Sequence, residues 1–199
     1  MAKSLKSKKS SNMLFILFSI VLGFLMGWLA KDLDNVAVIG AIGTNLGIWI
    51  TVATLLAVYS NKALEAAEHV LAFFVAMLAA YYTHTYFIEG FFPQKTIIAW
   101  LIFAVVSGIC GFIVWYANDK DWLGAVCASL PIAMLFAEGY PVFYTRSLAL
   151  GFDIVCAVVL FFLLARSTSK KLKTLAISVV LALLMAYFGI YSVLFGWIG

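Results

Sequence analysis

Seven apolar stretches recur along the chain, at 13–31, 43–59, 66–88, 96–116, 122–138, 147–165 and 173–196. No other feature restricts the fold so strongly. A helix rises about 1.5 Å per residue and bilayer hydrocarbon is about 30 Å thick, so roughly 20 apolar residues make one crossing. Composition agrees: of 199 residues 65% are hydrophobic and 11% charged, against about 25% charged in soluble domains. A water-soluble fold of this size has no interior large enough to hide such a surface. The expected fold is an all-α integral membrane protein, a bundle of seven transmembrane helices. It divides into a basic cytoplasmic tail, 1–12, and a single transmembrane domain, 13–199. The weakest stretch is 43–59, because the glycine-rich "NVAVIGAIGTNLG" before it also suits a re-entrant or interfacial piece; without it six spans remain.

The tail "MAKSLKSKKSSN" and the apolar run after it superficially match a secretory signal. The run ends "GWLAK", however, and puts Trp28 where a cleavage site needs a small residue. An uncleaved first helix is expected, with Lys3, Lys6, Lys8 and Lys9 against anionic lipid, each worth about 1 kcal/mol near the surface. Charge tests the threading independently, because cytoplasmic loops collect Lys and Arg. With the N-terminus inside, the inner set is Lys3, Lys6, Lys8, Lys9, Lys62, Lys120, Arg166, Lys170, Lys171 and Lys173, and the outer set is Lys31, Lys95 and Arg146. Dropping the second span would move the basic loop 166–173 away from the basic tail. Seven spans, N-terminus in and C-terminus out, follow.

Under this topology Tyr81, Tyr82, Tyr86, Tyr140, Tyr144, Tyr187 and Tyr191 gather near the outer surface, and Tyr59 and Tyr116 lie inside. An aromatic belt explains tyrosines at an interface. A belt usually forms at both interfaces, so the one-sidedness leaves a second possibility, an outward-facing aromatic cup. Helical spacing puts Tyr82, Tyr86 and Glu89 on one face of span three, and Tyr81 and His84 on another.

Asp153 lies about 10 Å below Arg146 along span six. An ionised Asp inside a span costs about 2.5–3.5 kcal/mol on insertion scales and usually marks a pathway or a partner. It is either a structural partner for another helix or a ligand-binding or proton-coupling carboxylate. Glu89, Glu138 and Arg146 lie near the same rim with Lys31, Asp32 and Asp34, and His84 is about a turn deeper. Together they describe a vestibule of mixed charge. At the inner end Glu65, Glu68 and His69 open span three, where acidic side chains also suit the helix dipole. His69 and His84 are about 22 Å apart along one helix and cannot share a metal ion.

Cys110, Cys127 and Cys156 fall inside apolar stretches without CxxC spacing, as buried free thiols do. GxSxG, HExxH and a glycine-rich phosphate loop are missing, so neither catalytic residues nor a cofactor nor a metal is expected. Gly23 and Gly27, and Gly43 and Gly47, are small-residue pairs suited to close helix packing. Pro131 should kink span five.

The run "GIWITVATLLAVYS" (Gly47–Ser60), "YY" at Tyr81–Tyr82, "GFFP" at Gly90–Pro93, "WYA" at Trp115–Ala117 and "SL" at Ser129–Leu130 occur in an order that resembles an uncharacterised bacterial family of small multi-pass membrane proteins, a domain of unknown function. The likeness covers roughly 13–165. "NKALEAAEHV" departs from the small and basic residues of that family. The resemblance implies a bacterial cytoplasmic (plasma) membrane location and no reaction.

Three functions fit these residues. The first is a small-molecule or ion binding or transport protein whose pocket lies between spans three, five and six. Asp153 would be its ionisable centre, His84, Glu138, Arg146 and Glu89 its charged groups, and Tyr82 and Tyr86 its walls. The second is a non-catalytic accessory protein with a membrane-protein partner. The third is an intramembrane enzyme acting on lipid or peptide, which needs Asp153, His84 and Glu138 within reach of one another. Membrane lipids are partners in each; nucleic acid is in none.

Overall fold

The computed structural model describes residues 2–189, with side chains from Asn12 onward. The tail lysines' side chains, Tyr191 and the end of the 173–196 stretch lie outside the described residues. Among those described the regular structure is entirely helical. The chain runs through α1 (Ala2–Leu33), α2 (Ala37–Thr44), α3 (Gly47–Val58), α4 (Ala63–Glu89) and α5 (Gln94–Trp115). After a 3₁₀ turn at Tyr116–Asn118 come α6 (Trp122–Gly139), the single turn α7 (Val142–Thr145), α8 (Leu148–Leu164) and α9 (Thr168–Tyr187). The backbone of the basic tail continues α1 as helix.

Four helical segments are long and apolar enough to cross a membrane: Asn12–Leu33, Ala63–Glu89, Gln94–Asn118 and Trp122–Thr145. The pair α2 and α3 makes a fifth if its 49° bend is counted within one span, and α8 is a shorter apolar helix. The outward faces of α1 and α5, with Leu14, Phe18, Leu25, Ile98, Ile102 and Ile109, are exposed and apolar. In water such faces would collapse or aggregate; in hydrocarbon they cost nothing to leave bare.

Without a hydrophobic force between helices, membrane bundles hold together by close contact and interhelical hydrogen bonds. The α1–α4 seam shows both. A Cβ at Gly23 would strike the Phe73 carbonyl, and one at Gly27 the Met77 carbonyl. The first small-residue pair is therefore an intramolecular packing face on α4. Asn12 donates to Glu68 near one end of the seam, and Lys31 donates to Glu89 at the other. The two helices thus run parallel, joined by α2 and α3 returning between them. We call the Asn12 end lower and the Lys31 end upper.

The lower end is tied across several elements. Trp115 Nε1 donates to the Ser60 carbonyl at 2.9 Å, and Asn118 donates to the Val58 carbonyl at 2.8 Å. The buried Lys170 ammonium donates to the carbonyls of Ala117 and Asp119, tying the 3₁₀ turn after α5 to α9. Antiparallel α6 and α8 meet where Gly139 lies against Leu150 and Ile154. α9 runs beside α6, with the Ser178 hydroxyl donating to the Ser129 carbonyl.

α3 occupies the centre. It packs on α4 and α5 through a core that includes Trp49, Leu56, Phe73 and Met77. It also touches a second core, of Ala128, Ile132, Leu135, Cys156 and Leu160 from α6 and α8, through Ile50 and Val58.

Candidate functional site

The stretch expected as one span at 43–59 is broken at residues 45–46. Asn45 is extended (φ −79°, ψ 160°), and α3 starts afresh at Gly47. A break inside a bundle leaves backbone N–H groups at the new N-terminus without carbonyl partners. Two carboxylates from other helices meet them. Glu138 Oε1 of α6 accepts from the Leu46 N–H at 2.9 Å. Asp153 Oδ2 of α8 accepts from the Asn45 side-chain amide at 3.0 Å. Asp153 Oδ1 lies against Gly47 so closely that a Cβ there would collide with it. It faces the Gly47 N–H without reaching full hydrogen-bond geometry. Asp153 is 0% exposed and Glu138 4%. Two buried acids at the start of a helix obey the macrodipole rule, by which negative charge is stabilised at the N-terminus. The Trp49 indole N–H closes the joint from the other side by donating to the Gly43 carbonyl at 2.8 Å.

The opposite face of α3 is a wall of a cavity of about 710 Å³. Leu46, just ahead of α3, and Trp49, Ile50 and Ala53 of α3 face Phe74, Met77, Tyr81 and Tyr82 of α4 across it. Trp100, Phe103 and Ser107 of α5 and Leu130, Pro131 and Met134 of α6 complete the sides. From Val70 to Glu89, both of which line it, is roughly 28 Å of helix axis, so the space is a long slot. Pro131 lacks the N–H that would reach the Cys127 carbonyl, which loosens α6 beside the slot. Charged residues line the upper mouth. Lys31 Nζ lies 2.6 Å from Glu89 and 3.4 Å from Asp34, and the Tyr81 hydroxyl donates to Asp34 at 2.7 Å.

These two features divide the residues singled out in the sequence. Asp153 and Glu138 come together at the joint. Tyr82 and Glu89 come together at the slot. The other three join neither. His84 stacks flat on Trp28 of α1, with ring centroids 4.1 Å apart, and its Nε2 is 3.4 Å from Asp32. Arg146 is exposed in a left-handed turn (φ 54°) and forms no ion pair with Asp153. Tyr86 is half exposed beside Phe92 and does not line the slot. The pocket expected between spans three, five and six instead lies among α3, α4, α5 and α6, because α3 stands between the slot and α8. Tyr81, expected on the His84 face, joins Tyr82 in the lining, since residues 74, 77, 78, 81, 82, 85 and 89 form one face of α4. His84 faces α1, so the acid–base trio of the enzyme reading does not assemble.

Sequence reasoning missed Asn45, Trp49 and Trp28. The first had a signal: an asparagine between two glycine-bearing helical runs is where a helix stops. At the lower end His69, 1% exposed, bridges Ser60 Oγ at 2.7 Å and Asn12 Oδ1 at 2.9 Å. No group of three metal-ligating side chains gathers among the described residues. Cys127 and Cys156 are buried free thiols, whereas Cys110 is exposed and lines the slot from α5.

An all-helical chain with four or five helices long and apolar enough to cross a membrane has the build of an integral membrane protein. The family model DUF6518, described as a family of unknown function, matches residues 3–196, and the chain belongs to that family. No curated protein and no solved structure matches it.

Proposed function

We propose that the chain is a multi-pass protein of a bacterial cytoplasmic membrane that binds or transports a small molecule through the slot beside α3. The slot carries this reading. Its volume falls in the usual range of ligand sites, about 300–1,000 Å³, and it has their mostly apolar walls and few polar groups. Discontinuous helices beside a cavity are also how many membrane transporters build their sites. In this function Tyr82 and Glu89 meet the solute. Asp153 and Glu138 hold the joint that shapes one wall, where Asp153 is the coupling carboxylate. His84 fixes α4 on α1.

Seven spans would be α1, the bent α2–α3 pair, α4, α5, α6, the shorter α8 and α9; the opposite directions of α6 and α8 support this threading. The concentration of Lys and Arg in the tail and lower loops supports a cytoplasmic N-terminus. The tail lysines would bind anionic lipid.

Native mass spectrometry of the gently solubilised protein tests the function against Ala53→Phe, which fills the slot. A discrete bound molecule in the wild type, absent from the variant, is expected. Matching bare spectra for both would refute it. The hydrogen bonds spent between helices, at Asn12, His69 and Lys170, support a second reading: a non-catalytic accessory protein that holds a membrane-protein partner. Co-purification of a partner whose binding Ala53→Phe leaves intact would favour it.

A further inference from the structure

The slot combines three properties. It is long and narrow, running along most of α4. Its walls are nearly all apolar, with Trp49, Phe74, Tyr82 and Trp100 among them. Its charged mouth holds two carboxylates, Asp34 and Glu89, for one ammonium, Lys31. Lys95, at the start of α5, is not among the lining residues. The narrow apolar interior suits a single alkyl chain. The mouth decides which headgroup is accepted. An anionic head would have to displace Glu89 from Lys31, which is already bonded at 2.6 Å. A cationic head meets a mouth with one carboxylate in excess: Asp34 already accepts from Tyr81 and lies 3.4 Å from Lys31 through Oδ2, and its second oxygen would take the head beside the Tyr82 ring; the Lys31 ammonium sits over the Tyr81 ring at 5.4 Å, so the aromatic wall of this mouth accepts positive charge.

We propose that the slot is a binding site for a single-chain amphiphilic cation, its alkyl chain between α3, α4 and α5 and its head at Glu89 and Asp34. This rests on the small-molecule function proposed above and names its ligand class. The test compares two probes with the same chain length and opposite heads, hexadecyltrimethylammonium and palmitate. Binding to the full chain in phosphatidylcholine nanodiscs is measured by equilibrium dialysis, with empty discs subtracted.

Saturable binding of the cation at one per chain, with little palmitate bound, is expected. Glu89→Gln, at an exposed helix end, should weaken the cation by about tenfold, since one carboxylate a few ångströms from the head is removed. Ala53→Phe should abolish binding. Palmitate binding as tightly as the cation, or an unchanged affinity in Glu89→Gln, would overturn the cation assignment and leave a slot that binds chains of another charge. If neither probe binds above empty discs, the assignment falls. The small-molecule function falls with it only if native mass spectra of wild type and Ala53→Phe also match.

Discussion

Gly47 is the residue on which the helix joint turns, and replacing it should give opposite effects in two backgrounds. At the first position of α3, Gly47→Ala should gain up to about 1 kcal/mol from reduced backbone freedom in the unfolded chain. In the native fold the added Cβ collides with Asp153 Oδ1. Overpacking of this kind costs about 1–3 kcal/mol. The carboxylate cannot yield freely, because its other oxygen is held by Asn45. The net expectation is a loss of about 1–2 kcal/mol in the wild-type background. In Asp153→Ala the colliding carboxylate is gone and only a close approach to the Cα of residue 153 remains, so the same change should be nearly neutral. The coupling between the two positions should therefore be about 2 kcal/mol, within the range for touching residues. Reversible unfolding in mixed micelles, on the wild type, both single variants and the double variant, measures it. Additive effects would refute the contact between Gly47 and Asp153 as the reason that glycine is needed there.

Glu138→Gln keeps an acceptor for the Leu46 N–H and should change stability little, whereas Glu138→Ala strands that buried donor and should cost about 1–3 kcal/mol in the same assay. Gly27→Leu drives a side chain into the Met77 carbonyl and should separate α1 from α4, seen as lost protection of single cysteines placed along the seam. Lys170→Met removes the donor to the Ala117 and Asp119 carbonyls and should lower stability by about 1–3 kcal/mol. For the proposed orientation, a cysteine at Lys120 should react with an impermeant thiol reagent only from the cytoplasmic side, and one at Gln94 only from the opposite side; the reverse pattern would invert the topology.

Hydropathy alone placed the helices closely. The stretches 66–88, 96–116, 122–138 and 147–165 correspond to Ala63–Glu89, Gln94–Trp115, Trp122–Gly139 and Leu148–Leu164. The transfer energy of a residue into hydrocarbon depends on that residue and not on its partners, so the chain itself records where helices begin and end. The use of Gly23 and Gly27 in packing was legible for a related reason, since small residues are where backbones approach. The rotation of each helix was not. In a soluble helix the polar face points to water and gives the phase. Here lipid and core are both apolar, so α4 carries the same kind of residue on most sides, and the sequence could not tell whether Tyr81 or Tyr86 turns inward. Packing against α1 and α3 decided it.

Asp153 shows the same division within one residue. Its cost in an apolar helix was visible in the sequence and required a partner. Which partner was not visible, because Arg146, close in sequence, is turned away, while Asn45 and Gly47, more than a hundred positions upstream, are brought to it by the break between α2 and α3. Hydropathy and composition suffice to make this chain a bundle of apolar helices with a few expensive polar side chains. Which of those brace a joint and which line a slot follows from the fold, because it depends on the rotation and pairing of helices whose surfaces are chemically alike.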